Sequence, residues 1–128
     1  MDDIYEKGMK TRREVLGNAH VDRAETNKSE FDSDFQAFIT RYAWGEVWQR
    51  GDLSRRERHL VTLGIIAALG KEHEFAMHVR ATQNTGVSQE ELKEVLHQVA
   101  IYAGLPAANG AFASAKRVYA ELKEQELA

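Results

Sequence analysis

Apolar residues recur at three- and four-residue intervals along most of the chain, and no stretch alternates strictly between apolar and polar, so the pattern predicts helices and no strand. A first helix is expected over Asp3–Leu16, stopped by Gly17 as a C′ residue. The polar stretch "NAHVDRAETNKS" reads as a connection to an aromatic helix around Phe31–Gln49, in which Phe31, Phe35, Phe38, Ile39 and Tyr42 form one stripe. Ser54 and Glu57 have the S-x-x-E spacing of a capping box, and a helix from Arg55 toward Asn84 follows, with Gly64 or Gly70 as places to bend. Ser88 and Glu91 repeat the device. Leu92, Val95, Leu96, Val99 and Tyr102 then mark a core face that ends at Gly104, and Pro106 suits the first turn of a last helix. That last helix, "AANGAFASAKRVYAEL", is dense in small residues that let backbones approach closely. The fold class is all-α, with about five to six helices in one domain over residues 1–128: residues 1–28 are a helix and connection, and residues 29–124 the core.

Composition narrows the chemistry. Hydrophobic residues make up 43% of the 128 and charged residues 29%, which is the balance of a globular chain. A net charge of −3, with no basic block, argues against a nucleic-acid partner. The absence of cysteine excludes disulfides, thiolate nucleophiles and cysteine–zinc sites. "MDDIYEKGMKTRREV" has no apolar signal region, and the apolar run Leu60–Leu69 is half the ~20 residues that a membrane span needs, so a cytoplasmic protein off the membrane is expected.

Three features carry candidate chemistry. Trp44 and Trp48 stand one helical turn apart, a spacing of core or interface aromatics before that of a ligand cage, and Glu46 between them points elsewhere. His97 shares a helix face with Ile101, where a hydrogen-bonded core or interface histidine and a ligand-binding one are both open. "GKEHEFAMHVR" is denser. At about 100° per residue Lys71, Glu74 and His78 fall on one stripe, while Glu72 and His73 are expected at the surface. Two ligands at i,i+4 beside a lysine make a poor metal site, so no metal is expected. A solvated face of i,i+4 pairs explains the same charges.

"WGEVW", "LSRRERHLVTLGIIAALGKEHEFAMHVRATQNTGV" and "HQVAIYAGLPAANGAF" resemble the carboxymuconolactone decarboxylase family, with similarity running from about Tyr5 to Leu122. The resemblance implies an alkylhydroperoxidase D-like helical bundle that assembles into trimers or hexamers. Redox members of that wider group carry C-x-x-C-x-x-x-H here. Lys71 and Glu74 stand at the two cysteine positions and His78 at the histidine, which implies acid–base chemistry in place of peroxidase chemistry.

The implied reaction converts 4-carboxymuconolactone to the β-ketoadipate enol-lactone and carbon dioxide, in protocatechuate catabolism. The lactone carbonyl is itself the electron sink, so no cofactor is needed. On this reading His78 is the proton donor or oxyanion partner and Glu74 orients and tunes it. Arg58 binds carboxylate or polarises the carbonyl; Arg80 ranks below it, because two helical residues turn it about 160° from His78. Lys71 and His97 add cationic walls, and Glu46 and Trp44 line the pocket. Another lactone or keto acid as substrate, and a non-catalytic oligomeric ligand-binding protein, are the alternatives.

Overall fold

The computed structural model describes residues 3–127, with side chains to Glu126; Met1, Asp2 and Ala128, included in the expected domain, lie outside the described residues. The described residues form seven α-helices, one π-helical turn and one 3-10 turn, and contain no strand. They divide into two compact units, with the boundary between Arg55 and Arg56.

The first unit contains α1 (Asp3–Leu16), α2 (Asn18–Asn27), α3 (Ser33–Ile39), the π-turn Thr40–Trp44 and the 3-10 turn Val47–Gln49. Helix α1 ends where expected, with Gly17 at φ 92° and its N–H donating to the Arg13 carbonyl at 2.9 Å. The stretch expected as a connection is instead helix α2. Its single apolar anchor, Val21, is fully buried, and Arg13 holds it by donating to Asn18 and Asp22. A helix of mostly polar residues leaves little apolar periodicity to read, so tertiary contacts decide it. The aromatic segment also differs from one continuous helix. It passes from α to π geometry at Thr40, and its buried residues are Thr40 and Trp44. Phe31, Phe35, Phe38 and Tyr42 face outward, Phe31 at 99% exposure. Gly8 on α1 explains how the π-turn fits: a Cβ there would meet the Thr40 carbonyl oxygen and the Gly45 nitrogen. Only a glycine pair permits that backbone crossing.

The second unit contains α4 (Arg55–Leu69), α5 (Glu72–Thr85), α6 (Gln89–Ala103) and α7 (Leu105–Leu127). Here the sequence predicts one helix from Arg55 toward Asn84, and the structure has two. The Lys71 N–H reaches back to the Ile66 carbonyl and the Gly70 N–H to that of Ala67, the paired bonds of a Schellman ending, with Gly70 at φ 71°. Lys71 therefore stands at the N-cap of α5, outside the helix, and is not on the stripe expected to start there; of that stripe His78 is buried and Glu74 exposed. Gly86 closes α5 in the left-handed conformation. The capping box forms as predicted: Ser88 Oγ accepts from the Glu91 N–H and Glu91 Oε1 from the Ser88 N–H, each at 3.0 Å.

Helix α7 packs against both α5 and α6, and its small residues Ala108, Ala111, Ser114 and Ala115 make the inward stripe that permits it. Leu63, Phe75, Leu92 and Leu96 fill the shared core, and burying each such side chain contributes about 1.5–3 kcal/mol. Tyr102, expected on the core face of α6, is instead 82% exposed, because the helix turns Leu92, Leu96 and Val99 inward and carries its last turn past them.

Candidate active site

Two consecutive helices each turn one histidine inward. On α4, His59, Leu63 and Ala67 follow the four-residue period of the buried face; on α5, Phe75, His78, Val79 and Thr82 do the same. His59 is fully buried and His78 is 7% exposed. Their rings meet edge to face, centroids 5.2 Å apart, with His59 Nε2 at 3.1 Å from His78 Nδ1. The other nitrogen of His59, Nδ1, lies 2.6 Å from the Thr85 hydroxyl at the last residue of α5. The result is a hydrogen-bonded line, Thr85–His59–His78. Burial, and then the neighbouring His78, push the His59 imidazole down from 6.5 to about 4, so at neutral pH His59 is uncharged. A neutral imidazole has one donor and one acceptor, and this one uses both.

The remaining sequence-predicted residues are placed as follows. Glu74, one turn before His78 on α5, is exposed, and so are Glu72 and His73, as expected. Arg58 precedes His59 on α4 and is half-buried. Arg80 is exposed and ion-paired with Glu121 of α7. His97 is exposed on α6, donating Nδ1–H to the Lys93 carbonyl at 2.8 Å with its ring edge-on to Phe112. Lys71 and Glu72 border a small cavity of about 60 Å³ with Ile66, Phe75, Pro106 and Gly110 at the α4–α5 junction. Trp44 and Glu46 belong to the first unit. There Trp44 is buried and stacked on Trp48 at 4.8 Å, and Glu46 is exposed, its carbonyl accepting from the Gln49 N–H. Among the described residues no three His, Asp or Glu gather as a metal would require.

Reasoning from sequence named His78 and missed His59 and Thr85. The signal for His59 was present: in "RRERHLVTLGII" it lies one turn before Leu63 on an apolar face, and a buried imidazole must have a partner.

Residues 33–117 match the carboxymuconolactone decarboxylase family. The chain belongs to that family. It is 49% identical over 118 residues, 92% of its own length and 88% of the relative's, to 4-carboxymuconolactone decarboxylase of Acinetobacter baylyi. It is 39% identical over 103 residues, 80% of its length and 72% of the relative's, to nitrosuccinic acid decarboxylase of Metarhizium robertsii. The family match covers the helices that carry His59, His78 and Thr85 and crosses the boundary between the two units.

Proposed function

We propose that this protein decarboxylates 4-carboxymuconolactone to the β-ketoadipate enol-lactone and carbon dioxide without a cofactor, as a cytoplasmic enzyme of protocatechuate catabolism. The observation that carries the reading is the 49% identity, across nine-tenths of the chain, to a relative named for that substrate. The buried His59–His78 pair fits the chemistry. As the carbon–carbon bond to the departing carboxylate breaks, its electron pair moves through the ring double bond onto the lactone carbonyl oxygen. The dienolate then takes a proton at the ring carbon beside that carbonyl. His78 gives this proton from Nε2 while Nδ1 is held by His59. Glu74, one turn before His78 on α5, orients it. Arg58 takes the spectator carboxylate or the carbonyl oxygen, with Lys71 and His97 as further walls of the site. Arg80, committed to Glu121, ranks below Arg58.

The direct test is purified protein with 4-carboxymuconolactone, followed by loss of substrate and release of carbon dioxide. No turnover under conditions where the fold is intact sinks the reading. The similarity to nitrosuccinic acid decarboxylase favours one second reading, a non-lactone dicarboxylic acid as substrate. A parallel assay with nitrosuccinate separates the two, because the lactone-sink mechanism requires the lactone to react faster.

We also infer a single domain that works as a homo-oligomer, a trimer or a hexamer. Leu60, Val61, Gly64, Ile65, Val95 and Tyr102 line an apolar groove of about 470 Å³ between α4 and α6, and Val61, Ile65 and Tyr102 are exposed in the isolated chain. Sedimentation of the wild type and of Ile65→Asp tests this: the wild type sediments as an oligomer, and the charged variant shifts toward monomer.

A further inference from the structure

The Thr85–His59–His78 line contains a proton-count problem. Two hydrogen bonds join three groups, and His59, buried and neutral, has one N–H to serve them. If the His59 proton is on Nε2, it points at His78 Nδ1, which must then be a bare lone pair. His78 in that state carries its only proton on Nε2, and giving it up obliges the whole line to shift. If the His59 proton is on Nδ1, the Thr85 oxygen accepts it and the Nε2 lone pair accepts Nδ1–H of His78. A doubly protonated His78 then loses its Nε2 proton to substrate and keeps the same bond behind it. Only the second arrangement serves a proton donor without rearrangement, and preorganisation of that kind is what lowers a barrier.

We propose that Thr85 is a positioning residue for this site, its hydroxyl oxygen holding the Nδ1–H tautomer of His59 so that His59 Nε2 accepts the Nδ1–H of His78. The inference rests on His78 as proton donor, the reading given above. It adds a residue 26 positions from its contact at His59, outside the charged stretch that first suggested a site. A hydroxyl is required because it alone among small side chains accepts from an imidazole N–H there without adding charge. Valine, of the same shape, leaves that N–H buried without an acceptor. The His59 proton is then driven to Nε2, where it meets His78.

The experiment reads the tautomer directly. Imidazole nitrogen shifts of full-length protein labelled with ¹⁵N-histidine are recorded for wild type, Thr85→Val and Thr85→Ser, with kcat and KM for each. The expected wild-type pattern has His59 protonated at Nδ1 and unprotonated at Nε2. Thr85→Val moves the His59 proton to Nε2 and lowers kcat by about 10-fold with KM little changed, and Thr85→Ser restores both. A wild-type His59 already protonated at Nε2 overturns the proposal. So does a Thr85→Val protein that loses activity with the tautomer unchanged, because Thr85 would then serve only packing. A wild type that turns over no 4-carboxymuconolactone, yet whose His59 proton moves in Thr85→Val, removes the decarboxylase reading and leaves the tautomer assignment standing.

Discussion

The first unit buries an arginine and the second a pair of histidines, and Arg12 and His59 are handled in opposite ways. In the first unit Arg12 is 6% exposed and donates to Thr40 Oγ1 and Gln36 Oε1, both at 3.4 Å, with the Glu25 carboxylate favouring its charge, while its buried Nε has no hydrogen-bond partner among the described residues. In the second unit His59 is more completely buried and has both ring nitrogens engaged at 3.1 Å or less. Burial lowers both groups' affinity for a proton. An arginine cannot discharge in response, whereas an imidazole can. Arg12 therefore stays a cation at the expense of stability. His59 becomes neutral, able both to donate and to accept. A buried charge can be spared; a satisfied neutral pair beside the candidate proton donor cannot.

The largest effect should come from His78→Ala. Loss of a positioned acid–base group lowers kcat by at least about 100-fold, with the fold kept, as read by steady-state assay and circular dichroism. Arg12→Met should leave kcat within about twofold, since a change in the first unit's buried cation touches no proton carrier. Near-wild-type kcat in a folded His78→Ala protein would break the contrast at its centre.

Next in size is the pH dependence of stability, which only the imidazole side can supply. The folded His59 titrates at about 4 and the unfolded one at 6.5. Between those values the unfolded chain binds more protons, so stability falls as pH drops through that window and is fully present above it. The loss contributed by His59 is roughly 3 kcal/mol by linkage, from a shift of 6.5 to about 4. Urea unfolding of wild type and His59→Gln across the window checks it: the wild-type slope is the steeper, and parallel curves would refute the assignment. Arg12 adds no slope in that range.

How much of this was legible in the sequence follows from how local each feature is. The Ser88–Glu91 box and the Gly104 stop are encoded within four residues, and both were readable. The break at Gly70 was legible only as a place to bend, at Gly64 or Gly70, because helical spacing continues across "LGIIAALGKEHEF" and a Schellman ending needs the chain to turn back at one particular glycine. Helix α2 has only Val21 for a core contact, too little to make a period. His78 was found from its neighbours. His59 and Thr85 were not, because their contacts span 19 and 26 residues, and no spacing rule reaches across two helices.

Removing the buried polar groups themselves tests the comparison next. Arg12→Met should be neutral or stabilising by about 1 kcal/mol, because methionine fills the space without a desolvated charge. Thr40 keeps its bond to the Gln36 carbonyl, at 2.9 Å, when the arginine is gone. His59→Leu should cost about 1–3 kcal/mol, since His78 Nδ1 and the Thr85 hydroxyl each lose a partner. Thermal unfolding with matched buffers gives both numbers, and equal losses in the two variants would show that the units do not differ as argued.

The smallest effect marks the baseline for all the others. Arg80 and Glu121 pair on the exposed side of α5 and α7, each side chain 42% exposed. An ion pair in water gains little over its separate hydrated partners, so Arg80→Ala should change stability by no more than about 1 kcal/mol. The same variant separates two roles for a residue on the helix of His78. If Glu121 holds Arg80 for structure alone, KM and kcat stay within about twofold of wild type. A rise in KM with kcat unchanged would instead bring Arg80 into substrate binding, and would require the ion pair to open as the carboxylate arrives. Glu121→Gln then decides between these outcomes: loosening the partner should lower KM if the arginine is recruited, and leave it unmoved if it is not.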